Sequence, residues 1–224
     1  MGHRTTTREQ LAAEGYAFLP QFVPELPPRA AVKLLGCIDT VEGLAEIQLL
    51  TPQTDTASTP NTYSGNFGTG EFPLHTDLAH WAVPPRYVAL RCLSGTSSVT
   101  TSVLDSLGVV QSVGREALRM AIVQPRRPLR NGKHLLRLLE QPAAANSDRI
   151  RWDVIFLKPS NAFAAATVAS VRDALLDAQP VQFVLREPGD TLLLDNWRVF
   201  HGRSPVSTDE LQRVVARAYL EVVH

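Results

Sequence analysis

Cysteine is scarce in this chain of 224 residues: Cys37 in "LLGCID" and Cys92 in "LRCLSG" stand in apolar settings, without the paired spacing of a metal knuckle or a disulfide framework. Net charge is absent as well, since 22 lysines and arginines balance 22 aspartates and glutamates. A chain without an overall field exerts no long-range pull on nucleic acid or an anionic membrane, so neither is expected as a partner. No apolar run approaches the length of a membrane span and no leader-like segment stands out, from which a reduced, cytoplasmic setting is expected. Internal repeats and low-complexity tracts are missing too. Two tempting motifs are incomplete: "GNFGTGEF" lacks the Lys-Ser/Thr and the helix of a phosphate loop, and His201, Ser204 and Asp195 lack the nucleophile elbow of a serine hydrolase.

What the chain does contain is proline and short apolar runs. Sixteen prolines and 44% hydrophobic residues fit a strand-rich globule better than a helical bundle, and the length suits one domain over 1–224. Thr7 with Gln10 spells a capping box for a first helix that Gly15 would stop; a second helix is expected after Pro27-Pro28 with "RAAVKLLGCI" as its body. The stretch "TPQTDTASTPNTYSG" has no period and reads as a long exposed loop of the kind that often forms a lid. "FPLHTDLAHW", "RYVALRCL" and "VTTSVL" read as strands, "DSLGVVQSVGREALRMAIV" as a helix, and "HLLRLLEQ" with "RIRWDVIFLKP" as a hairpin around a polar insert. Asn161 caps the clearest helix, "NAFAAATVASVRDALLDAQ", and the remainder of the chain reads as three strands.

The chemistry gathers in three places. In "HTD", a period of two places His75 and Asp77 on one face of a strand-like segment, where they could share a metal ion; a histidine hydrogen-bonded to its neighbour at a strand edge has the same spelling. His201, far along the chain in "LLLDNWRVFHGRSP", either completes a two-histidine, one-carboxylate face or is a turn residue. Such a face leaves coordination positions open and suits ferrous iron rather than a closed structural zinc. In "LQRVVARAYLEVV" one set of alternating positions holds Val214, Ala216, Ala218 and Leu220, and the other holds Arg213, Val215, Arg217 and Tyr219. An outward-facing strand would alternate in the same way, but arginine is also the residue suited to two-point binding of a carboxylate, and a metal beside such an anchor suggests a chelating oxo-acid.

Residues 60–105 and 185–220, with "YSGNFGTGEFPLHTDLAHWAVPPRYVALRCL" and "GDTLLLDNWRVFHGR", resemble the Fe(II)/2-oxoglutarate dioxygenases of the taurine dioxygenase (TauD/TfdA) and γ-butyrobetaine hydroxylase type. The resemblance implies a mainly β (α+β) double-stranded β-helix, a cupin-like jelly roll with flanking helices. It implies that His75, Asp77 and His201 bind Fe(II), and that Arg213 pairs with the distal carboxylate of 2-oxoglutarate with help from Thr101. It places Arg217 where relatives meet an anionic ligand group or make a salt bridge behind the metal. Asn196 and Arg203 are candidates to fix the ligand histidine, or are strand-end residues that cap a turn. "GTSSVT" replaces the Gly-Gly-Asp that precedes the threonine in relatives.

The implied reaction consumes O2 and 2-oxoglutarate, releases succinate and CO2, and hydroxylates or otherwise oxidises a small carboxylated metabolite or amino-acid derivative. Tyr63, Asn66, Trp81 and Arg203 are candidate substrate contacts, with Arg203 or Arg217 facing an anionic group, whereas Trp152 is expected in the core. A homo-oligomer is a further possible arrangement. Two other functions remain: a cupin-like metal enzyme that does not use 2-oxoglutarate, which has no need of Arg213 at the metal, and a non-catalytic jelly-roll binding protein, which binds neither iron nor oxo-acid.

Overall fold

Thr6, one residue earlier than expected, caps the first helix: its hydroxyl accepts from the Glu9 amide while the Glu9 carboxylate accepts from the Thr6 amide. Three consecutive threonines offer equivalent caps, and the carboxylate at position 9 makes the stronger reciprocal bond. The computed structural model describes residues 6–53, 62–127, 135–142 and 147–224. Helix α1 (Thr7–Glu14) stops at Gly15, whose φ of +81° is a left-handed conformation that costs glycine little. Strand β1 (Tyr16–Leu19) follows. Helix α2 (Pro28–Leu35) begins on a proline at its first turn, as anticipated, but ends before "GCI", which becomes strand β2 (Gly36–Ile38). Strand β3 (Gln48–Leu50) leads into the expected loop, of which 54–61 lie outside the described residues; its end is ordered as the short helix α3 (Tyr63–Phe67).

Strands β4 (Phe72–His75), β5 (Tyr87–Ser94) and β6 (Thr100–Asp105) fall on the three segments read as strands. The single helix expected next is two, α4 (Leu107–Val113) and α5 (Arg115–Met120), because Gly114 at φ +93° breaks the helix, and "IVQP" becomes β7 (Ile122–Pro125). Short strands β8 (Leu136–Arg137), β9 (Leu139–Glu140), β10 (Arg149–Ile150) and β11 (Leu157–Pro159) follow. The expected hairpin survives only as β9 against β10, since β11 pairs with β7; part of its polar insert, 143–146, lies outside the described residues. Helix α6 (Ala162–Leu176) carries the Asn161 cap, whose carbonyl accepts from the Ala164 amide. The close of the chain forms four strands rather than three: β12 (Val181–Val184), β13 (Thr191–Asp195), β14 (Val199–Arg203) and β15 (Val214–Val223).

Two antiparallel sheets face one another. The larger runs β1-β13-β5-β15-β2, with β3 also on β15, and the smaller runs β12-β6-β14-β4. Side chains from both, including Val88, Leu90, Leu192, Leu194, Val103 and Val199, fill the space between them. Because the side-chain period is two, alternate residues pack outward. Leu193, Ala218 and Leu220 meet Leu11 of α1 and Val32 of α2, whereas Phe200 and Leu104 meet the cluster under α4 and α6, where Trp152 is buried as expected. Both faces of the central strands are thus covered, which explains their nearly unbroken apolar spelling. Each leucine so enclosed contributes roughly 1.5–3 kcal/mol. The architecture is mainly β, a jelly roll with flanking helices. Among the described residues no helix is long and apolar enough to cross a membrane.

Candidate metal centre and cavity

His75 is the last residue of β4, and His201 lies opposite it in β14, directly in register. Their rings stand 4.4 Å apart, centroid to centroid. This close approach depends on Gly202: a Cβ there would sit 2.6 Å from the Phe72 carbonyl oxygen of β4. Asp77 reaches the same point from the turn after β4, not from the strand itself. Leu78, at φ +53°, turns the chain away immediately afterwards. Strand periodicity therefore put the two ligands together for a reason that applies only to His75.

All three side chains are buried, and one ligand atom from each lies within 4.8 Å of the others. Asp77 Oδ1 is 3.5 Å from His75 Nε2 and 3.6 Å from His201 Nε2. Atoms that each stand ~2.0–2.2 Å from one ion can be separated by such distances. The Pro73 carbonyl lies 2.9 Å from His75 Nδ1, which fixes that nitrogen as the proton donor and leaves Nε2 with its lone pair toward the centre. Two imidazoles and a carboxylate with this spacing fit a divalent cation with open positions, the donor set expected for iron(II).

The second oxygen of Asp77 is held from the opposite sheet. Oδ2 accepts from Arg217 Nη1 at 3.1 Å and from the Tyr219 hydroxyl at 3.0 Å. Burial alone would raise the Asp77 carboxyl, but Arg217 and the two imidazoles outweigh it and hold the group well below the usual carboxylate range. Asn196 fixes the backbone at the same residue: its side-chain oxygen accepts from the Asp77 amide at 2.7 Å, and its amide donates to the carbonyls of Asp77 and Pro85. Its partner is thus the carboxylate's backbone rather than a histidine.

A cavity of about 600 Å³ opens from this centre, with His75, Asp77, His201, Arg213, Arg217 and Thr101 in its wall. The face of β15 that carries Arg213, Val215, Arg217 and Tyr219 points inward, so its alternation is not that of an outer strand. Arg213 is buried and makes no ion pair among the described residues; burial lowers its pKa, only partly offset by Cys92 and Glu210. Arg217 is engaged by Asp77 and, at 2.7 Å, by Gln48, so the salt bridge behind the ligand is the arrangement found.

Tyr63, Trp81 and Arg203 also line the cavity. Arg203, however, donates to the Gly70 carbonyl at 2.6 Å and covers the Phe72 ring at 3.7 Å, which ties down the approach to β4. Asn66 is not in the wall. The turn of α3 directs it outward, where its amide donates to the Thr62 carbonyl.

Wall residues that escaped the sequence reading include His80, Arg127, Asp153 and Phe156. His80 follows the first ligand pair within "HTDLAHW", and Asp153 is an acid inside the otherwise apolar "WDVIF". An acid in such a run was the available signal, since it must be either paired or functional.

No family model matches the chain. Solved structures do. An asparagine oxygenase in complex with Fe(II), 2S,3S-3-hydroxyasparagine and succinate is 21% identical, with a TM-score of 0.68 over 95% of this chain and 78% of that one. PvcB from Pseudomonas aeruginosa is 15% identical, with a TM-score of 0.66 over 95% of this chain and 78% of that chain; PvcB is an Fe, α-ketoglutarate dependent oxygenase from an isonitrile synthetic pathway. The non-heme iron oxygenase OrfP, in complex with Fe, succinate and (3S)-hydroxy-L-Arg, is 17% identical, with a TM-score of 0.65 over 94% of this chain and 76% of that one. The likeness is one of fold along nearly the whole chain.

Proposed function

We propose that this chain is an Fe(II)- and 2-oxoglutarate-dependent dioxygenase of the TauD/TfdA type that hydroxylates, or otherwise oxidises, a small carboxylated metabolite or amino-acid derivative, releasing succinate and CO2. One observation carries the reading: a buried two-histidine, one-carboxylate cluster shares its cavity with the buried guanidinium of Arg213, which has no ion-pair partner among the described residues. A metal enzyme without an oxo-acid has no use for that cation, and a binding module has no use for the cluster. The structural neighbours support the reading, because asparagine oxygenase and OrfP hold iron, succinate and a hydroxylated amino acid.

In this assignment His75, Asp77 and His201 hold iron(II), and Arg213 grips the distal carboxylate of 2-oxoglutarate with Thr101 beside it. Iron(II) with 2-oxoglutarate and O2 would supply the oxidising power that no side chain possesses. The chain supplies position. The hydrogen bond to the Pro73 carbonyl orients His75, Arg217 and Tyr219 turn Asp77 so that Oδ1 faces the imidazoles, and Asn196 fixes the depth at which Asp77 enters. Phe156, Tyr63 and Trp81 screen the substrate side of the cavity from water.

Anaerobic titration of the Fe(II)-loaded protein with 2-oxoglutarate tests the assignment. A weak visible absorption band should grow to saturation, and Arg213→Gln should shift its midpoint upward. Absence of the band, with no 2-oxoglutarate-dependent release of succinate, overturns the proposal.

A further inference from the structure

The two histidines of the centre are not equally well supported by backbone. His201 lies within β14, which is paired on one side with β6 and on the other with β4. His75 is the last residue of β4, a strand of four residues at the edge of the smaller sheet that pairs, among the described residues, with β14 alone. That single ladder is irregular, because its register slips between His201 and Arg203. The end of a short edge strand is where a sheet holds its residues least firmly. The lone pair of Nε2 lies in the plane of the imidazole, so the aim of His75 at an ion depends on what fixes that plane. The hydrogen bond from Nδ1 to the Pro73 carbonyl, at 2.9 Å, holds one edge of the ring and leaves both faces to be held by packing.

Tyr63 supplies that packing. Its ring is stacked on His75 with centroids 4.0 Å apart and planes 25° from parallel, while Phe72 at 5.5 Å and Phe67 and Phe156 at 5.9 Å surround it on other sides. Its buried hydroxyl meets the carboxylate of Asp153. Asp153 is itself anchored, since Oδ1 accepts from the amides of Ile155 at 2.7 Å and Phe156 at 2.8 Å in the loop between β10 and β11. At its other end Tyr63 starts α3, where the Thr62 hydroxyl accepts from the Gly65 amide at 3.0 Å. The tyrosine therefore bridges two segments remote in sequence, with the ligand under its face.

We propose that Tyr63 is a positioning residue of the metal centre: its ring, tethered to Asp153, clamps the His75 imidazole and keeps Nε2 directed at the ion. The inference rests on the metal-centre part of the dioxygenase reading and adds to it a residue outside the ligand set. It also changes the role expected of Tyr63 from its sequence position. A substrate contact would offer its hydroxyl or its face, and here both have partners within the protein. The same arrangement accounts for the acid inside "WDVIF": Asp153 is 4% exposed, and a buried carboxylate is retained only where hydrogen bonds complete it. Stacked rings resist tilting because displacement in any direction but the ring plane opens a gap or a clash.

The test compares Fe(II) affinity, by anaerobic equilibrium titration, with the visible ligand-field spectrum of the Co(II)-loaded protein. The variants are Tyr63→Leu and Tyr63→Met, which remove the ring, Tyr63→Phe, which keeps it and removes the tether, and Phe67→Leu, each checked by thermal melting. Loss of the ring should weaken Fe(II) binding about tenfold or more and displace the Co(II) bands, as expected when a group that orients a ligand is removed. Tyr63→Phe should lose less and keep bands close to those of the wild type. Phe67→Leu thins the same aromatic cluster at a residue that makes no ring contact with His75 among the described residues; it should melt earlier with Fe(II) affinity and bands unchanged. Wild-type affinity and bands in the ring-less variants, a Tyr63→Phe variant as impaired as they are, or an equal loss in Phe67→Leu overturns the inference. The absorption band of the iron and 2-oxoglutarate complex of the wild type reports separately on the parent reading. A normal band with tight iron binding in Tyr63→Leu sinks only the clamp, whereas the expected variant pattern without that band sinks only the use of 2-oxoglutarate.

Discussion

Arg217 and Asp77 form a pair across the two sheets, Nη1 on β15 standing 3.1 Å from Oδ2 in the turn after β4. The contact locks the orientation of the carboxylate, so that Oδ1 is left facing both imidazoles. Replacing Arg217 with methionine should free Asp77 to rotate and leave its charge unmatched. The expected outcome is a loss in iron affinity of about 10–100-fold, the usual effect of removing a group that orients a metal ligand. Equilibrium Fe(II) titration measures it. Tyr219→Phe, which removes one hydrogen bond and no charge, should have a smaller effect in the same direction.

Gly202→Ala should separate the two histidine strands. The added methyl group would lie 2.6 Å from the Phe72 carbonyl oxygen, and backbone cannot yield as a side-chain tip can. Overpacking of this kind costs about 1–3 kcal/mol. The variant should melt at lower temperature and, because β4 must move, lose iron affinity out of proportion to its loss of stability. Unchanged iron binding in a destabilised variant would show that the register of β4 and β14 does not set the centre.

These two sites also mark how far the sequence could be read. Alternation in 213–221 exposed the arginine face, because β15 keeps an unbroken register from Val215 to Leu220, with one side in the cavity and the other under α1 and α2. The clustering of His75 with His201 was legible because each follows apolar residues in a strand-like run. The split of "LLLDNWRVFHG" between two sheets was not. Its turn at Asp195 to Trp197 is folded inward, with Asn196 only 1% exposed, and so carries no surface-turn composition. Arg217 was ambiguous for a related reason: whether a guanidinium faces a ligand or Asp77 depends on how one sheet lies over the other, which no local pattern encodes. Asn66 was misjudged because proximity in sequence to the metal block says nothing about which side of α3 it occupies.

Asn196→Ala should be among the most disruptive substitutions outside the ligand set. The change strands the Asp77 amide and the Asp77 and Pro85 carbonyls, all of which the side chain satisfies. Each buried group left unmet costs roughly 1–3 kcal/mol, so, with three stranded, chemical denaturation should show a loss of about 3 kcal/mol or more. Asn196→Asp should fare no better, since a carboxylate can accept from the Asp77 amide but cannot donate to either carbonyl.

On the proposed assignment, Arg213→Gln separates the oxo-acid anchor from the metal. Arg213 touches none of the three ligands and forms no salt bridge among the described residues, so iron affinity should be unchanged. The concentration of 2-oxoglutarate needed for half-maximal succinate release should rise about 30-fold or more, the effect of removing ~2 kcal/mol or more from a buried charge pair. An equal loss of iron and 2-oxoglutarate binding would mean that Arg213 acts through the fold instead.

Acid should loosen the cavity through Glu140 before it reaches the metal ligands. Glu140 accepts from Arg149 Nε at 3.1 Å and from Arg151 Nη2 at 2.9 Å, and Arg151 in turn holds the carbonyls of Ala79 and Trp81. Burial draws the Glu140 carboxyl upward, but Arg151 and Arg149 outweigh it and the pKa lies below its ordinary 4.5. A carboxyl depressed in the folded state binds fewer protons there than in the unfolded chain. Its stabilisation is therefore complete above the unfolded value and is lost as pH falls through the folded one. Thermal melts of the wild type should decline steeply between about pH 5 and pH 3, and Glu140→Gln should be less stable at neutral pH by about 1–3 kcal/mol yet lose less on acidification. A variant whose melting temperature tracks the wild type in parallel over that window would remove Glu140 from the account, and leave Arg151 to hold the loop after Asp77 on its backbone contacts alone.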